Sequence, residues 1–264
     1  MRLDKYLLEN GLFPSREKAQ TAIKHKTVMV NGEICTKSST EIGENTTVEV
    51  IDIFNKYVSM GGLKLEKAIS DFGLDFQGKT VLDIGSSTGG FTDCALQNGA
   101  SFVAAVDVGT AQLDQKLSRN ERVLSIENKD FRELSPAEVG NRKFDWIVSD
   151  VSFISLTYIL PFMDAFLEEN GQIMLLIKPQ FESGPSFLNK SGIVTEDKGY
   201  KVAIQKVVSE AMANNLFLNN IAVSTLFEKH KNVEFLSLFS RKNSGFSVNY
   251  NTLFQEIKEI KKNL

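Results

Sequence analysis

Residues 81–93 read VLDIGSSTGGFTD, an apolar run carrying one acid, Asp83, that opens into a turn holding Gly85, Gly89 and Gly90. Val81, Leu82 and Ile84 have the composition of a strand buried on both faces, as at the centre of a parallel sheet. The glycines let the backbone turn tightly and lie close to a ligand, and a helix starting near Phe91 would aim its N-terminal N–H groups at that ligand. Such a turn is common to many α/β proteins, so its meaning depends on the residues around it.

Downstream the pattern alternates. Strands are expected near 80–84, 102–107, 123–126, 144–149 and 172–178, and helices near 91–98, 110–118, 155–168 and 198–214. This predicts an α/β fold with an open, mostly parallel sheet covered on both faces. Two final strands, around 221–227 and 234–241, read as an antiparallel hairpin at one edge, and Leu253, Phe254, Ile257 and Ile260 share one side of a C-terminal helix.

Upstream lies a different module. Leu3, Tyr6, Leu7 and Leu8 are spaced as one helical face, with Gly11 as its C-cap and Ser15 as the N-cap of a second helix that turns Ala19, Ala22 and Ile23 inward. The run 28–30, Asn31-Gly32 and Ile34 reads as a hairpin, with a further strand at 47–51. Composition agrees with two domains: 264 residues, 42% hydrophobic and 24% charged, suffice for one good core and a small extra module. The expected division is a small α+β domain over 1–52, a connector over 53–60 and the larger domain over 61–264.

Net charge is −3, but across residues 1–38 cations outnumber acids by three. A basic module is thus joined to an acidic body. No window approaches the roughly 18 apolar residues of a membrane span, and the N-terminus lacks the apolar segment of a signal peptide, so a cytoplasmic protein with no membrane partner is expected. Cys35 and Cys94 lie far apart, and His25 and His230 are the only imidazoles, so neither a disulfide framework nor a metal site is expected.

Ligands of open α/β sheets bind at the carboxyl ends of the parallel strands. The residues there form a set: Asp83 and the glycine turn, then Asp107 for ribose hydroxyls, Asp130 for an adenine amino group with Phe131 packing on its face, then Asp150 and Lys178. A glycine turn followed by an acid on the next strand suits an adenosine-containing cofactor, as in dinucleotide-binding dehydrogenases and S-adenosylmethionine enzymes. DIGSSTGG lacks the GxGxxG order of the former and resembles the motif that holds the amino-acid end of S-adenosyl-L-methionine in class I methyltransferases. That resemblance extends the cofactor set to Ser86, Ser87, Gly89, Gly90, Phe91 and Val108.

Lys178 closes an apolar strand in MLLIKPQFE, and Lys64, Asp150 and Glu234 are its candidate partners. Two lysines and two carboxylates around a methyl donor suit deprotonation of a ribose 2′-hydroxyl. The base is then an amine, Lys178, whose charged form is disfavoured by Lys64 and partial desolvation, while Asp150 and Glu234 orient the lysines.

Residues 1–50 resemble the S4 RNA-binding module in RLDKYLLENGL and SREKAQTAIKHKTVMVNG, which marks Arg2, Arg16, Lys18, Lys24 and Lys26 as phosphate contacts. Over nearly its whole length the chain resembles the TlyA, or hemolysin A, family, an S4 module fused to an FtsJ-like RNA 2′-O-methyltransferase domain with a Rossmann-like, mostly parallel sheet whose last strand is antiparallel. The family's Lys-Asp-Lys-Glu tetrad matches Lys64, Asp150, Lys178 and Glu234 in KYVSMGGLKL, IVSDVSF, LLIKPQFE and NVEFL. The resemblance implies methylation of cytidine 2′-hydroxyls in ribosomal RNA, free or in ribosomal subunits. Two positions depart from it: Met60 replaces an arginine, and the loop 227–231 lacks the usual proline and glycine. The competing expectations are a membrane-active hemolysin, as the family label suggests, and a catalytically silent RNA-binding ribosome assembly factor.

Overall fold

The computed structural model describes residues 1–24, 27–43, 45–50, 56–224 and 231–262. Lys26, His25, His230, the predicted connector residues 53–55 and most of the loop ahead of Glu234 lie outside them. The chain divides into two units, Met1–Ser59 and Met60–Leu264.

The first unit holds helices α1 (Leu3–Glu9) and α2 (Arg16–Lys24), then strands β1 (Val28–Val30), β2 (Glu33–Ile34) and β3 (Val48–Val50) in the order β2-β1-β3. Ser15 Oγ accepts from the Lys18 N–H at 3.2 Å, so the expected N-cap is made. Asn31 and Gly32 both have positive φ, 53° and 79°, the backbone that a two-residue hairpin of this hand requires. Leu3, Leu7, Ala19, Ala22, Ile23 and Val28 close the core. Leu8, expected on the same face, is exposed, because the buried stripe of this two-turn helix is completed by Asp4 rather than Leu8.

The second unit begins with α3 (Gly61–Phe72). It continues through β4 (Thr80–Ile84), α4 (Gly90–Gln97), β5 (Phe102–Val106), α5 (Gln115–Ser118), β6 (Val123–Ile126), β7 (Phe144–Ser149), α6 (Leu160–Met163), β8 (Leu167–Ile177), α7 (Pro179–Glu182), α8 (Asp197–Ala213), β9 (Phe217–Val223), β10 (Phe235–Ser240) and α9 (Tyr250–Lys262). The sheet order is β6-β5-β4-β7-β8-β10-β9. Neighbours from β6 to β8 pair in parallel, whereas β10 runs antiparallel to both β8 and β9. Strands β4, β5 and β7 are buried along almost their whole length, as strands covered on both faces must be.

Three expectations are corrected in detail. The helix over 110–118 shrinks to α5, because Ala111 takes φ 53° and the Glu127 carboxylate accepts the N–H groups of Ala111, Gln112 and Leu113 before Asp114 caps the helix. The helix over 155–168 is broken into a turn at Leu156–Tyr158, α6 and a turn at Asp164–Phe166, since Pro161 can enter only the first turn of a helix. The residues after it extend β8 back to Leu167, through a polar stretch exposed beyond the covered part of the sheet. The last two strands do pair at the edge, but β10 is inserted between β8 and β9, and β9 begins at Phe217 rather than 221.

Candidate active site

The strand order reverses between β4 and β7, which opens a crevice at the carboxyl ends of those two strands. A cavity of about 420 Å³ lies there. Of the residues expected at a cofactor, Gly85, Ser87, Asp107, Val108, Asp130, Phe131 and Asp150 line it, whereas Asp83, Ser86, Gly89, Gly90 and Phe91 do not. Phe91 is buried in the core, and a Cβ on Gly89 would meet Leu117 Cδ1 at 2.3 Å and Leu113 Cδ1 at 2.7 Å, so that glycine answers to packing within the protein. Gly85 has φ 77° and would bring a Cβ within 2.7 Å of Val151 Cγ1, which keeps the turn flush with the loop after β7.

Asp107 is already engaged: its Oδ2 accepts the Ser87 N–H and its Oδ1 the Gly109 N–H, each at 2.7 Å. Each oxygen has a second lone pair, so the carboxylate is held in place and can still accept from a ligand hydroxyl. Asp130 is bound by its own neighbour, with Arg132 Nη2 at 2.5 Å from Oδ2, and this hydrogen bond draws its carboxyl below the usual range. Phe131 packs on Phe166 with ring centroids 5.5 Å apart.

Asp83 sits beneath the crevice, 1% exposed. Burial pushes its carboxyl up to about 7 against the hydrogen bonds from Thr92, and the charges of Asp150 and Asp107 add to the rise. Thr92 Oγ1 donates to Oδ2 at 2.6 Å, while the buried Oδ1 has no hydrogen-bond partner. Asp83 thus lies beneath a crevice that Asp107 and Asp150 line, within reach of their charges. These residues fit a cationic ligand, which S-adenosylmethionine is.

The structure brings together all four members of the Lys-Asp-Lys-Glu set. Asp150 follows β7, Lys178 follows β8, Glu234 precedes the antiparallel β10, and Lys64 comes from the first turns of α3. The register explains the meeting, because Phe235 pairs with Ile177 and so puts Glu234 beside the end of β8. Lys64 Nζ is 3.1 Å from Asp150 Oδ2 and 2.8 Å from Glu234 Oε2. Lys178 Nζ is 2.7 Å from Asp150 Oδ1 and donates to Ser152 Oγ at 2.6 Å. Burial works against the Lys64 ammonium, but Asp150 and Glu234 outweigh it and hold its pKa above the ordinary lysine value.

Sequence reasoning passed over Ser152, Phe153, Ile154, Lys129 and Gln112, which also line the cavity. The signal for the first three lay in SDVSFI, directly after Asp150, where a phenylalanine in a loop at a strand end has no core to join. Phe153 is 93% exposed with φ 66°. In the first unit, Arg2 Nη2 and Arg16 Nε donate to Asp4 Oδ2 at 3.1 and 2.9 Å, and Gln20 Nε2 donates to the same atom at 2.7 Å. Asp4 is fully buried, and these donors, Arg2 first, hold its carboxyl well below the usual range. Lys18 and Lys24 are exposed on α2. Among the described residues, no group of three His, Cys, Asp or Glu is placed to hold a metal ion.

A mostly parallel seven-stranded sheet with one inserted antiparallel strand, a glycine turn after its first strand and carboxylates at successive strand ends defines a class I methyltransferase domain. Residues 57–241 match the FtsJ-like methyltransferase family and residues 1–48 the S4 domain, and the chain belongs to that family in its S4-fused, TlyA or hemolysin A form. It is 39% identical over 239 residues to hemolysin A of Brachyspira hyodysenteriae, covering 90% of this chain and 99% of that one. It is 34% identical over 235 residues to the 16S/23S rRNA (cytidine-2′-O)-methyltransferase TlyA of Mycobacterium tuberculosis, covering 89% and 87%. A solved structure from Streptococcus thermophilus, assigned provisionally as a hemolysin, superposes with a TM-score of 0.77 at 38% identity, covering 100% and 98%.

Proposed function

We propose that the chain methylates the 2′-hydroxyl of cytidine in ribosomal RNA, with Lys178 as general base. The observation that carries this reading is the tetrad itself, because Asp150 both lines the cofactor cavity and bridges the two lysines. S-adenosylmethionine, bound along Gly85, Ser87, Asp107 and Asp130, would supply a sulfonium-activated methyl group and leave as a neutral thioether.

Lys178 is 7% exposed, lies 2.7 Å from Asp150 Oδ1, and donates to the Asp150 carbonyl at 3.3 Å and to Ser152 Oγ at 2.6 Å, contacts that hold Nζ at the cavity. In its amine form Nζ takes the proton of a ribose hydroxyl placed at the mouth of the cavity. Lys64 divides the charge of Asp150 with Lys178 and ties Glu234 to the same cluster, so the carboxylates orient both lysines. Much of the acceleration then comes from holding the hydroxyl oxygen in line with the methyl group. Phe153, exposed at the cavity rim, offers a face on which an unstacked base can rest. In the S4 unit, Arg2 and Arg16, set by Asp4, with Lys18 and Lys24, supply the phosphate contacts.

The hemolysin reading finds no comparable support. No described helix is long and apolar enough to cross a membrane, and the apolar side of α9 is used within the protein, with Leu253 and Ile257 buried in the core. The deciding experiment is incubation of the protein with S-adenosylmethionine and ribosomal subunits, followed by nucleoside mass spectrometry. The expected result is 2′-O-methylcytidine, and the absence of any methylated nucleoside with either subunit or with naked RNA would overturn the reading.

A further inference from the structure

A second cleft, of about 510 Å³, lies beside the cofactor cavity and shares Phe153 and Ile154 with it. Its other walls are Arg132, Ser155, Tyr158, Gln180, Phe181 and Lys206. Nothing in the tetrad chemistry requires this cleft. We propose that it is the binding site for a nucleotide adjacent to the one methylated, stacking its base on an exposed aromatic ring and taking its phosphate between Arg132 and Lys206. This inference rests on the RNA-methylation reading and names the part of the substrate that the first cavity does not hold.

The cleft is aromatic where a folded protein would ordinarily hide its rings. Phe153 and Tyr158 are 93% and 61% exposed, and Phe153 lies 5.5 Å from Phe181, centroid to centroid, at an interplanar angle of 50°. Phe153 is held out in the left-handed region, which is strained for a residue with a Cβ and persists only where neighbouring structure enforces it. The enforcing contact is Glu182, a buried carboxylate that accepts from Ser155 Oγ at 2.5 Å and from the Leu156 N–H at 2.7 Å, two and three residues beyond Phe153. Burial raises the pKa of Glu182 against those hydrogen bonds, so the clamp is maintained at a cost in solvation.

The charges are layered. Arg132 and Lys206 show 43% and 44% of their side chains to solvent, while their partners Asp130 and Glu182 show 28% and 1%, so the open face of the cleft is cationic. Gln180 adds an acceptor, since its buried Oε1 has no hydrogen-bond partner, and exocyclic amines of bases are donors. Rings, cations and a free amide acceptor together match a nucleotide, and single strands are held by stacking combined with a positive groove.

The test uses the full chain carrying Tyr158→Ala, Tyr158→Phe or Lys206→Ala, with a fluorescent unstructured cytidine decamer as binding probe and ribosomal subunits as substrate. Tyr158→Ala is expected to weaken decamer binding roughly tenfold and Tyr158→Phe hardly at all. Lys206→Ala is expected to lower the slope of log affinity against log salt by about 0.7. With subunits, Tyr158→Ala should raise KM by a similar factor and leave kcat within about twofold, with S-adenosylmethionine affinity unchanged. Unchanged decamer affinity in Tyr158→Ala and Lys206→Ala overturns the inference. So does a fall in kcat at unchanged KM, which would mark the cleft as support for the loop. Loss of binding to phosphatidylglycerol vesicles with RNA binding intact would assign the surface to a membrane and equally overturn it. If the unaltered protein methylates no RNA, the functional reading fails, and the decamer measurements still decide the cleft.

Discussion

Asp83→Asn should make the unliganded protein more stable at neutral and alkaline pH. Asp83 is buried, one of its oxygens is unpartnered, and burial with two neighbouring carboxylates lifts its carboxyl from 3.8 to about 7. The folded chain therefore keeps a proton that the unfolded chain has lost between those values. The stability this confers is complete below the unfolded pKa and is lost as pH rises through about 7. A rise of roughly three units corresponds to about 4 kcal/mol of ionisation cost above the folded pKa. Asparagine avoids that cost and keeps an acceptor for Thr92 Oγ1, but it places an N–H₂ group where no acceptor is present, a loss of about 1–2 kcal/mol. The net gain at pH 8 is then about 2 kcal/mol, or roughly 5 °C in Tm for a unit of this size. Thermal melts at pH 5 and pH 8 measure it. The wild-type should lose stability between the two, and the variant should lose much less. A wild-type profile that is flat over this range, or a variant with the same slope as wild type, would refute the reasoning. On the proposed reading, S-adenosylmethionine bound beside Asp107 and Asp150 puts its positive charge above Asp83, and it should stabilise the wild-type more at pH 8 than at pH 6.

Three further outcomes follow from the geometry. Lys64→Met leaves Asp150 and Glu234 without their shared cation, so kcat should fall at least roughly 100-fold while calorimetry shows S-adenosylmethionine still binding. Phe153→Ala should leave Tm unchanged or slightly raised, since the ring is almost fully exposed, yet lower kcat/KM for RNA by roughly 10-fold to 100-fold. Asp4→Asn releases Arg2 and Arg16 and should weaken RNA binding similarly for all sequences, as electrophoretic mobility shifts would show. Because the Asp4 carboxyl is depressed, its stabilisation is present above the ordinary aspartate pKa and is lost as pH falls from there toward its folded value, so Asp4→Asn should lower the stability of the first unit at neutral pH and reduce its further loss in acid.

The parts of the site that sequence made legible are those fixed by topology. In a parallel sheet every strand ends at the same edge, so reading β4, β5, β7 and β8 as strands places Gly85, Asp107, Asp150 and Lys178 together whatever the helices do between them. Glu234 joins them only because β10 is inserted antiparallel beside β8, and a hairpin at the edge was the closest that local pattern could come to that order. Where side chains override local propensity, the sequence reading erred. Glu127 captures three N–H groups and prevents the start of a helix at 110, and a buried Asp4 takes the place expected for Leu8 in the first helix. Phe153 was only partly legible, since SDVSFI places a phenylalanine in a loop at a strand end, whereas the Glu182 contacts that fix the residues just after it come from another element. Of the glycines read as leaving room for a ligand, Gly85 lets the turn lie flush with the loop after β7 and Gly89 makes room for Leu113 and Leu117.

The central claim is that Lys178 removes the proton from a ribose hydroxyl of ribosomal RNA. The most direct test is nucleoside mass spectrometry of ribosomal RNA after subunits are treated with S-adenosylmethionine and either the unaltered protein or Lys178→Ala, with cofactor binding of both proteins measured by calorimetry. The account predicts 2′-O-methylcytidine with the first, none with the second, and comparable cofactor affinity in both. Undiminished 2′-O-methylcytidine from Lys178→Ala would contradict it.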